Sequence, residues 1–545
     1  MFQVKQETLS LTTRDGMALD ADIYRPQSSD SFPVLLMRQP YGRKIASTVV
    51  YAHPVWYASQ GYIVVIQDVR GRGTSQGEFE LFADEIEDGL DTINWVSQLP
   101  GSTGNVGMYG FSYQGMTQLS IASAKPKALK TICPAMIAYD LYSDLGYENG
   151  AFCLQTNLSW AIQLAAETAR LKGDTIAFQK LYAASRNLPL YDPIPAYPNL
   201  LKEVASDSFY HDWLNHPYPD DYWSKLSPKT LIDKLDLPML HIGGWFDPYL
   251  RGTLNLYKAM KTRSNLAQHL IIGPWGHLPW SPQVGSINYT KNAISFIDKY
   301  QINWFDYFLK NQDKSDLNSA SVLLFEMGAN QWQSFDSFAT NNHNYYYLSS
   351  QGLASIREDD GQLSDNVPKA ISTDIIVHDP WRPVHSLGGH ASIPSGSFER
   401  SNVDSRADVL TYTSQPLTED LVIMGEPFLE VYCTADAPSF DICAVLSEVL
   451  PDGKVYNFSQ GYMRVDSDEL PRKIPLQATC IKVTQGNCIR LSLSGACFPA
   501  YSLNTGTGKL PKEERLIEAK IITLTVTSQP DKPSKIGLPI PRKTP

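Results

Sequence analysis

The fold is decided by residues 105–116, Asn-Val-Gly-Met-Tyr-Gly-Phe-Ser-Tyr-Gln-Gly-Met. The first six predict a short apolar strand, and Met116 begins an apolar pattern typical of a helix. Between them, Gly110-Phe-Ser-Tyr-Gln-Gly115 predicts a tight turn that presents the Ser112 hydroxyl above the edge of a sheet. The usual form of this turn has glycine two residues after the serine, but here Gln114 holds that place and Gly115 follows it.

Outward from this turn, strand and helix patterns alternate. Short apolar runs predict buried parallel strands at 32–37, 61–69, 129–133, 238–244 and 269–273. Apolar residues spaced by three and four predict helices at 83–99, 249–261 and 296–309. Such alternation is typical of a parallel sheet covered by helices on both faces, so the predicted fold class is α/β.

Two other regions depart from this pattern. Residues 142–235 are rich in aromatic residues and proline, and they predict a mainly helical cap inserted into the α/β part. After residue 345, alternating polar and apolar residues separated by turn formers predict an antiparallel β-sandwich. We therefore expect an α/β domain at 1–141 and 236–345, a cap at 142–235 and a sandwich at 346–545, with 529–545 as an extended strap.

A serine nucleophile needs a base that takes its proton and a carboxylate that orients the base. Asp247 and His277 each follow a predicted strand, as Ser112 does. All three thus lie beyond the carboxyl ends of strands, where open α/β sheets bind ligands. Their order, Ser then Asp then His, is that of α/β-hydrolases. Alone, Asp247 could cap the following helix and His277 could be an ordinary loop residue, but together they predict a catalytic triad.

The chain also contains other histidines that could rival His277, and residues that could donate to an oxyanion. His241 lies within an apolar strand and is expected in the core, and His385 and His390 lie in the predicted sandwich. The backbone N–H of Tyr113 is the natural first donor to an oxyanion. The phenol of Tyr41, in the loop after an early strand, is a second candidate donor, although a tyrosine in a turn could equally be a packing residue.

A series of short motifs surrounds these positions: Arg38-Gln-Pro-Tyr41, Asp68-Val-Arg-Gly-Arg-Gly73, Gly110-Phe-Ser-Tyr-Gln-Gly115, Gly243-Gly-Trp-Phe-Asp247, Gly273-Pro-Trp-Gly-His277, Pro383-Val-His-Ser-Leu-Gly-Gly389, Pro451-Asp-Gly453 and Phe498-Pro-Ala-Tyr501. In this order, over nearly the whole chain, they resemble the cocaine-esterase/X-prolyl dipeptidyl-peptidase family of serine hydrolases. That family has Gly-X-Ser-Tyr-X-Gly at its turn, which accounts for the displaced glycine.

The resemblance implies an α/β-hydrolase domain with an inserted helical cap, followed by a jelly-roll β-sandwich. By position, it implies Ser112 as nucleophile, Asp247 as acid and His277 as base. It implies Tyr41 and the Tyr113 N–H as oxyanion donors. It also implies Tyr249 and, through a weaker match, Trp160 as residues that line the substrate pocket.

The family includes ester hydrolases, α-amino-acid ester hydrolases and X-Pro dipeptidyl peptidases. The last two must hold a substrate ammonium, which favours carboxylates facing the pocket. In the amino-acid ester hydrolases of this family, acidic residues follow directly after the catalytic aspartate. Here the residues that follow Asp247 are Pro248-Tyr-Leu-Arg251, with no carboxylate. The resemblance therefore favours a carboxylic-ester hydrolase. Asp140, Asp144 and Glu148 could bind an amine but are expected to be solvated or to cap helices. The two amine-binding activities are the alternative, and a non-catalytic carbohydrate-binding protein on a hydrolase scaffold is a more distant one.

Composition limits the remaining classes. The 545 residues are 43% hydrophobic and 19% charged, with a net charge of −11 and no long basic run, which argues against a nucleic-acid partner. The N-terminus lacks the apolar stretch of a signal peptide, and no apolar run approaches the roughly 18–20 residues that span a bilayer. We expect a cytoplasmic protein with a small acyl ester as substrate and no membrane partner; a homodimer is left open. The seven cysteines are expected to be buried free thiols, with no metal or organic cofactor.

Overall fold

The computed structural model describes residues 1–313, 320–338 and 342–541. The N-terminal part supplies strands β1 (Val4–Thr12), β2 (Ala18–Pro26), β3 (Phe32–Gln39), β4 (Ile63–Asp68), β5 (Ser102–Phe111) and β6 (Leu129–Ala135), and helices α1 (Pro54–Ser59), α2 (Glu85–Ser97) and α3 (Tyr113–Ser123). Strand β3 pairs in parallel with β4 and β5, and β5 pairs in parallel with β6. Every residue of β3 and β4 is buried, as expected for strands covered on both faces.

Residues 142–235 are mainly helical, as their sequence predicts. They form β7 (Tyr147–Glu148), β8 (Ala151–Phe152), α4 (Leu154–Leu171), α5 (Thr175–Arg186), α6 (Asn199–Val204), α7 (Phe209–Asn215) and α8 (Asp221–Leu226), followed by a short 3₁₀ helix at Pro228–Lys234. Several aromatic residues of this stretch form its core, whereas others, such as Tyr191, are exposed. Trp213 and Trp223 are almost fully buried, with ring centroids 5.3 Å apart.

The α/β alternation resumes after this insertion, at β9 (Met239–Phe246), α9 (Leu250–Arg263), β10 (Gln268–Gly276), β11 (Gln283–Val284), β12 (Ile287–Asn288), α10 (Ile297–Lys310), β13 (Val322–Glu326) and β14 (Gln331–Phe335). The resulting sheet has the order β1-β2-β4-β3-β5-β6-β9-β10-β13-β14. Its central pairs are parallel, and the outer pairs β1–β2, β2–β4 and β13–β14 are antiparallel. The predicted α/β class is confirmed.

Residues 342–541 form strands with a short α-helix and a 3₁₀ helix at Leu516–Glu518: β15 (Asn342–Ser349), β16 (Gln362–Ser364), β17 (Ser372–His378), α11 (Ser401–Asp404), β18 (Val409–Ser414), β19 (Leu421–Gly425), β20 (Phe428–Ala435), β21 (Phe440–Val449), β22 (Val455–Val465), β23 (Arg472–Pro475), β24 (Thr479–Val483), β25 (Cys488–Ser494), β26 (Ile522–Ser528) and β27 (Lys535–Ile540). The larger sheet runs β17-β26-β20-β27-β15-β16-β18-β25-β21-β22, and β19 pairs with β24. Nearly all pairs are antiparallel, so the all-β character predicted for this region is confirmed.

The expectation of a simple strap at 529–545 is wrong for residues 535–540. Strand β27 lies inside the larger sheet, between β15 and β20, with which it pairs in antiparallel register. Ile536 and Leu538 are fully buried. Alternate apolar residues make this segment a strand, and the surrounding prolines and lysines concealed that pattern in the sequence. The last four residues lie outside the described part of the chain.

The structure also bears on the expectations for the cysteines and for membrane-spanning helices. All seven cysteines are free, but Cys153 and Cys488 are only partly buried, which corrects the prediction for those two. Within the described ranges, no helix combines the length and apolar character needed to cross a membrane.

Candidate active site

Ser112 lies at the sharp turn from β5 into α3. Its backbone has φ of 59° and ψ of −128°. Residues other than glycine rarely adopt this backbone conformation, which costs about 1–3 kcal/mol. The turn is held by the Ser112 N–H, which donates to the Ala135 carbonyl at 2.9 Å, and by the Met116 N–H, which donates back to the Ser112 carbonyl at 3.0 Å. The surrounding structure therefore fixes a strained residue with its hydroxyl at the edge of the sheet.

The two glycines of the turn are required by close approach. A Cβ on Gly110 would lie 2.5 Å from the Gln114 Cβ, and one on Gly115 would lie 2.3 Å from the Ile137 Cγ2. Gln114, which stands where a glycine is usual, turns its side chain back so that Oε1 accepts from the Phe111 N–H at 3.3 Å. The displaced glycine thus serves packing against β6 and the loop after it, and Gln114 braces the turn itself.

Asp247 and His277 are brought together from the ends of β9 and β10. Because a carboxylate can only accept, the His277 Nδ1–H donates to Asp247 Oδ1, at 2.8 Å. Asp247 is fully buried, and this burial raises its pKa although the bond to His277 opposes the shift. The pair fixes the tautomer of His277 and leaves its Nε2 available as a base. The ring of Phe111, next to Ser112, packs against His277 with centroids 5.3 Å apart.

The phenol of Tyr41 reaches the same place from the loop after β3. Trp160, on α4 of the helical insertion, donates its Nε1–H to the Tyr41 hydroxyl oxygen at 3.0 Å. Burial raises the pKa of Tyr41 to about 12, against the opposing effect of hydrogen bonds with Trp160 and Ser112. The Tyr41 hydroxyl therefore stays protonated at physiological pH and can donate a hydrogen bond. The hydrogen bonds with Trp160 and Ser112 hold the phenol beside the Ser112 side chain.

Tyr113 uses its side chain and its backbone differently. The phenol points into the core, where it donates to Glu85 Oε1 at 2.8 Å and stacks on Phe82. The backbone N–H belongs to the first residue of α3, and the first amide groups of a helix have no partner within that helix. This N–H lies directly after Ser112, where an anionic oxygen on a carbonyl attacked by the serine would form.

These groups line one cavity of about 620 Å³. Its wall is largely apolar and comes from every part of the chain: Met116, Met136, Ile137, Leu145, Trp160 and Tyr249 are among its lining residues, together with Tyr41, Ser112 and His277. The Tyr249 ring stands edge-on to His277 with centroids 5.0 Å apart. The structure thus places all seven residues singled out in the sequence around one cavity, Asp247 and the Tyr113 phenol being buried behind its wall.

The C-terminal β region contributes residues that sequence reasoning missed. His390 lines the same cavity and is 3% exposed, and its Nε2 lies 2.9 Å from Glu148 Oε2. Gln477 donates from Nε2 to the backbone carbonyl of Asp247 at 2.8 Å. His390 was predicted only as part of a separate sandwich. No local pattern in the sequence indicates that residues more than 100 positions after His277 would fold against the cavity that Ser112 and His277 line.

The acidic residues at the start of the insertion are not uniformly solvated. Asp140 is partly exposed and pairs with Lys229 at 3.0 Å. Asp144 and Glu148 are buried, so the solvated role, one of the two roles expected for them beside helix capping, is wrong. Asp144 caps a turn by accepting from the backbone N–H groups of residues 139 and 140. Glu148 is instead held by side chains brought in from distant parts of the chain, which the sequence could not show.

Among the other histidines, His241 behaves as expected of a core residue. It is fully buried in β9 and its Nε2 lies 2.9 Å from Gln268 Oε1. Burial lowers its pKa to about 4, so it stays neutral at physiological pH. It does not line the main cavity.

Comparison with known proteins gives matches over nearly the full chain. The family model described as X-Pro dipeptidyl-peptidase (S15 family) matches residues 15–279, and that of the X-Pro dipeptidyl-peptidase C-terminal non-catalytic domain matches residues 317–536. The cocaine esterase of Rhodococcus sp. (strain MB1 Bresler) is 28% identical over 97% of each chain.

Solved structures show the same fold at lower identity. An aminopeptidase from the marine sediment archaeon Thaumarchaeota archaeon superposes with a TM-score of 0.83 at 23% identity, covering 99% of this chain and 97% of that one. An α-amino acid ester hydrolase gives a TM-score of 0.79 at 22% identity, with the same coverage. At these identities the likeness concerns the arrangement of the whole chain, including the C-terminal β region.

Proposed function

Because the chain belongs to the cocaine-esterase/X-prolyl dipeptidyl-peptidase family of serine hydrolases, we propose that it hydrolyses carboxylic esters through a covalent acyl-enzyme. The observation that carries this proposal is that His277, hydrogen-bonded to the buried Asp247, lines the same cavity as the strained Ser112. In this mechanism Ser112 is the nucleophile, His277 the base and Asp247 the group that orients the base.

The first half of the reaction forms the acyl-enzyme. The Ser112 oxygen bonds to the ester carbonyl carbon while its proton moves to the His277 Nε2. The carbonyl oxygen becomes an oxyanion, which the Tyr41 hydroxyl and the Tyr113 N–H stabilise as donors. When the C–O bond to the alcohol breaks, that alcohol takes the proton from His277, and Asp247 has meanwhile stabilised the imidazolium.

The second half removes the acyl group. Water gives a proton to the His277 Nε2 as its oxygen bonds to the acyl carbon, and a second oxyanion forms at the same two donors. The bond to Ser112 then breaks, the serine oxygen recovers the proton from His277, and the carboxylic acid leaves. No group besides the residues named and water is needed to balance either half.

The cavity wall points to an apolar acyl group. Met136 and Ile137 are at most 1% exposed and form part of the wall beside the nucleophile. Burying an apolar chain against such a wall stabilises the complex by about 25 cal/mol per Å² of apolar surface removed from water. A volume of about 620 Å³ accommodates a small or medium acyl group with its alcohol.

A second candidate is hydrolysis of amino-acid esters or X-Pro peptides, and one observation favours it. The carboxylates of Asp144 and Glu148 lie buried behind the cavity wall, where an ammonium group of a substrate would be attracted. The two candidates share the same triad and differ in whether the acyl group carries a positive charge.

The nucleophile is tested by Ser112→Ala, with labelling by a fluorophosphonate probe as readout beside ester turnover. We expect both labelling and hydrolysis of p-nitrophenyl esters to be lost. Ser120→Ala, on the same helix but outside the cavity, is the matched control and should keep both. A Ser112→Ala protein with full esterase activity would contradict the assignment, and absence of labelling in the wild type would favour a non-catalytic protein.

The substrate class is tested by two chromogenic compounds. Release of p-nitrophenol from short-chain acyl esters, without release of p-nitroaniline from an X-Pro p-nitroanilide, supports the esterase. The reverse pattern would replace the esterase by the peptidase while keeping the same catalytic residues.

A further inference from the structure

A second, smaller void lies directly behind the main cavity. It has room for about one water molecule, at about 10 Å³. The acidic and basic side chains that line it are Asp144, Glu148, Arg251 and His390, and we call this void with those four side chains the inner site. Leu145, Thr156, Pro248, Tyr249 and His390 line both the void and the main cavity. The inner site is therefore separated from the main cavity by one layer of side chains.

Two of the inner-site groups are buried acids. The side chains of Asp144 and Glu148 are 0% and 2% exposed. Charges withdrawn from water in this way are stable only when opposite charges or donors compensate them. Glu148 Oε2 accepts from the Tyr501 hydroxyl at 2.7 Å and is 2.9 Å from His390 Nε2. These contacts come from the C-terminal β region.

Arg251 supplies the permanent positive charge. It lies near the start of α9, four residues after Asp247, and its Nε is 3.6 Å from Asp144 Oδ1 while its Nη2 is 3.5 Å from Glu148 Oε2. The nearby guanidinium and the hydrogen bonds to Glu148 overcome the effect of burial and lower the pKa of Glu148 to about 2. One cation thus faces both acids at once.

Those ion pairs are loose. Both distances exceed 3.2 Å, the usual upper limit of an N–H···O hydrogen bond. Among the described residues, the Arg251 Nε and the Glu148 Oε1 have no hydrogen-bond partner although both are buried. The guanidinium therefore compensates the acids by its charge more than by tight hydrogen bonds, which is what any cation of suitable size in that position would do.

We propose that Arg251 is a specificity-determining residue, whose guanidinium takes the place of a substrate ammonium on Asp144 and Glu148 and so directs the enzyme to uncharged acyl groups. This inference rests on the proposed esterase function and names its substrate class. With Arg251 present, the charge of the two acids is already offset and a second cation nearby is repelled. Without it, the uncompensated negative charge of the two acids attracts an amine held in the main cavity, across that layer of side chains.

The test uses two esters that differ only in the α-ammonium, phenylalanine ethyl ester and 3-phenylpropionic acid ethyl ester, at a pH where the amine is protonated. The readout is the ratio of kcat/KM for the amino ester to kcat/KM for the neutral ester. We expect the wild type to prefer the neutral ester. In Arg251→Leu the ratio should rise about tenfold, because two unit charges about 10 Å apart, across one layer of side chains, change an equilibrium constant by about that factor at an effective dielectric constant of about 20.

Two variants separate charge from structure. Arg251→Lys keeps a cation against both acids and should keep the wild-type ratio. Arg186→Leu removes the same charge from an exposed part of α5 and should leave the ratio unchanged. A loss of stability alone would lower kcat/KM for both esters equally and leave their ratio where it was.

The outcomes are distinct. If the ratio in Arg251→Leu equals that of the wild type, or if Arg251→Lys changes it as much as Arg251→Leu does, the proposal is overturned. If Arg251→Leu does not fold, the wild type and Arg251→Lys decide the matter. Faster turnover of the amino ester by the wild type overturns the proposal. Preference of both proteins for the neutral ester supports it. Failure of the underlying esterase function looks different, because the wild type would then hydrolyse neither ester.

Discussion

The Tyr41 hydroxyl offers the sharpest test of how the site stabilises the transition state. Replacing it in Tyr41→Phe removes one of the two donors proposed for the oxyanion and leaves the ring that packs in the cavity wall. The loss of one such donor typically lowers kcat about 100- to 1000-fold, equivalent to about 2.7–4 kcal/mol of transition-state stabilisation. KM should change little, because the donor acts mainly on charge that develops after binding.

The contact from Trp160 adds a second, smaller expectation. Its Nε1–H donates to the Tyr41 oxygen at 3.0 Å, and a neutral hydrogen bond contributes about 0.5–1.5 kcal/mol net. Trp160→Phe should therefore lower kcat about two- to tenfold by leaving the Tyr41 hydroxyl less firmly directed. In a Tyr41→Phe background this loss should disappear, apart from any effect of packing, because the acceptor is already gone.

The assay is steady-state hydrolysis of p-nitrophenyl butyrate by the four proteins of this double-mutant cycle, with Tyr191→Phe as a control at an exposed tyrosine. The two substitutions should be strongly non-additive in kcat. If Tyr41→Phe keeps kcat within about threefold of the wild type, or if it raises KM alone, then Tyr41 is not an oxyanion donor. Additive effects would mean that Trp160 acts through packing and not through the phenol.

Two further predictions concern buried carboxylates. Asp247→Asn should lower kcat by about four orders of magnitude with the fold retained, since an amide no longer stabilises the His277 imidazolium or fixes its tautomer; a variant within tenfold of the wild type would remove Asp247 from the mechanism. Glu148 has a pKa of about 2, below the ordinary 4.5, so its stabilising effect is complete above about pH 4.5 and is lost as the pH falls towards 2. Glu148→Gln should accordingly flatten the fall in thermal midpoint over that acid range, by a contribution on the order of 3 kcal/mol, whereas Glu513→Gln at an exposed site should not; parallel curves for wild type and Glu148→Gln would contradict this.

Local sequence was enough to predict the elements that carry the proposed nucleophile, base and acid. The strand before Ser112 and the helix after it were visible in residues 105–123, because apolar spacing within a short segment reports directly on burial. Asp247 and His277 could be found because parallel strands end at the same edge of a sheet, so that residues after two different strands become neighbours. Position relative to a strand was the useful signal.

What local sequence could not predict was the support for those residues from the C-terminal β region. His390, Gln477 and Tyr501 come from loops and turns whose own neighbours give no periodic signal. Their contacts with Glu148 and with the Asp247 backbone depend on how two separately folded sheets meet. For the same reason, the burial of Asp144 and Glu148 was missed, because isolated acids in a polar stretch predict exposure unless their partners are known.

The position of β27 has a consequence for the order in which the protein can be completed during synthesis. This strand is the last one described along the chain, yet it lies between β15 and β20 and joins the two halves of the larger C-terminal sheet. On the ribosome, β15 and β20 emerge long before residues 535–540. Until those residues emerge, the edges of β15 and β20 that pair with β27 remain unpaired. A nascent chain whose α/β part has already folded therefore has no finished sheet to hold Gln477 against Asp247 and His390 in the cavity wall, and hydrolytic activity should arise late in its synthesis.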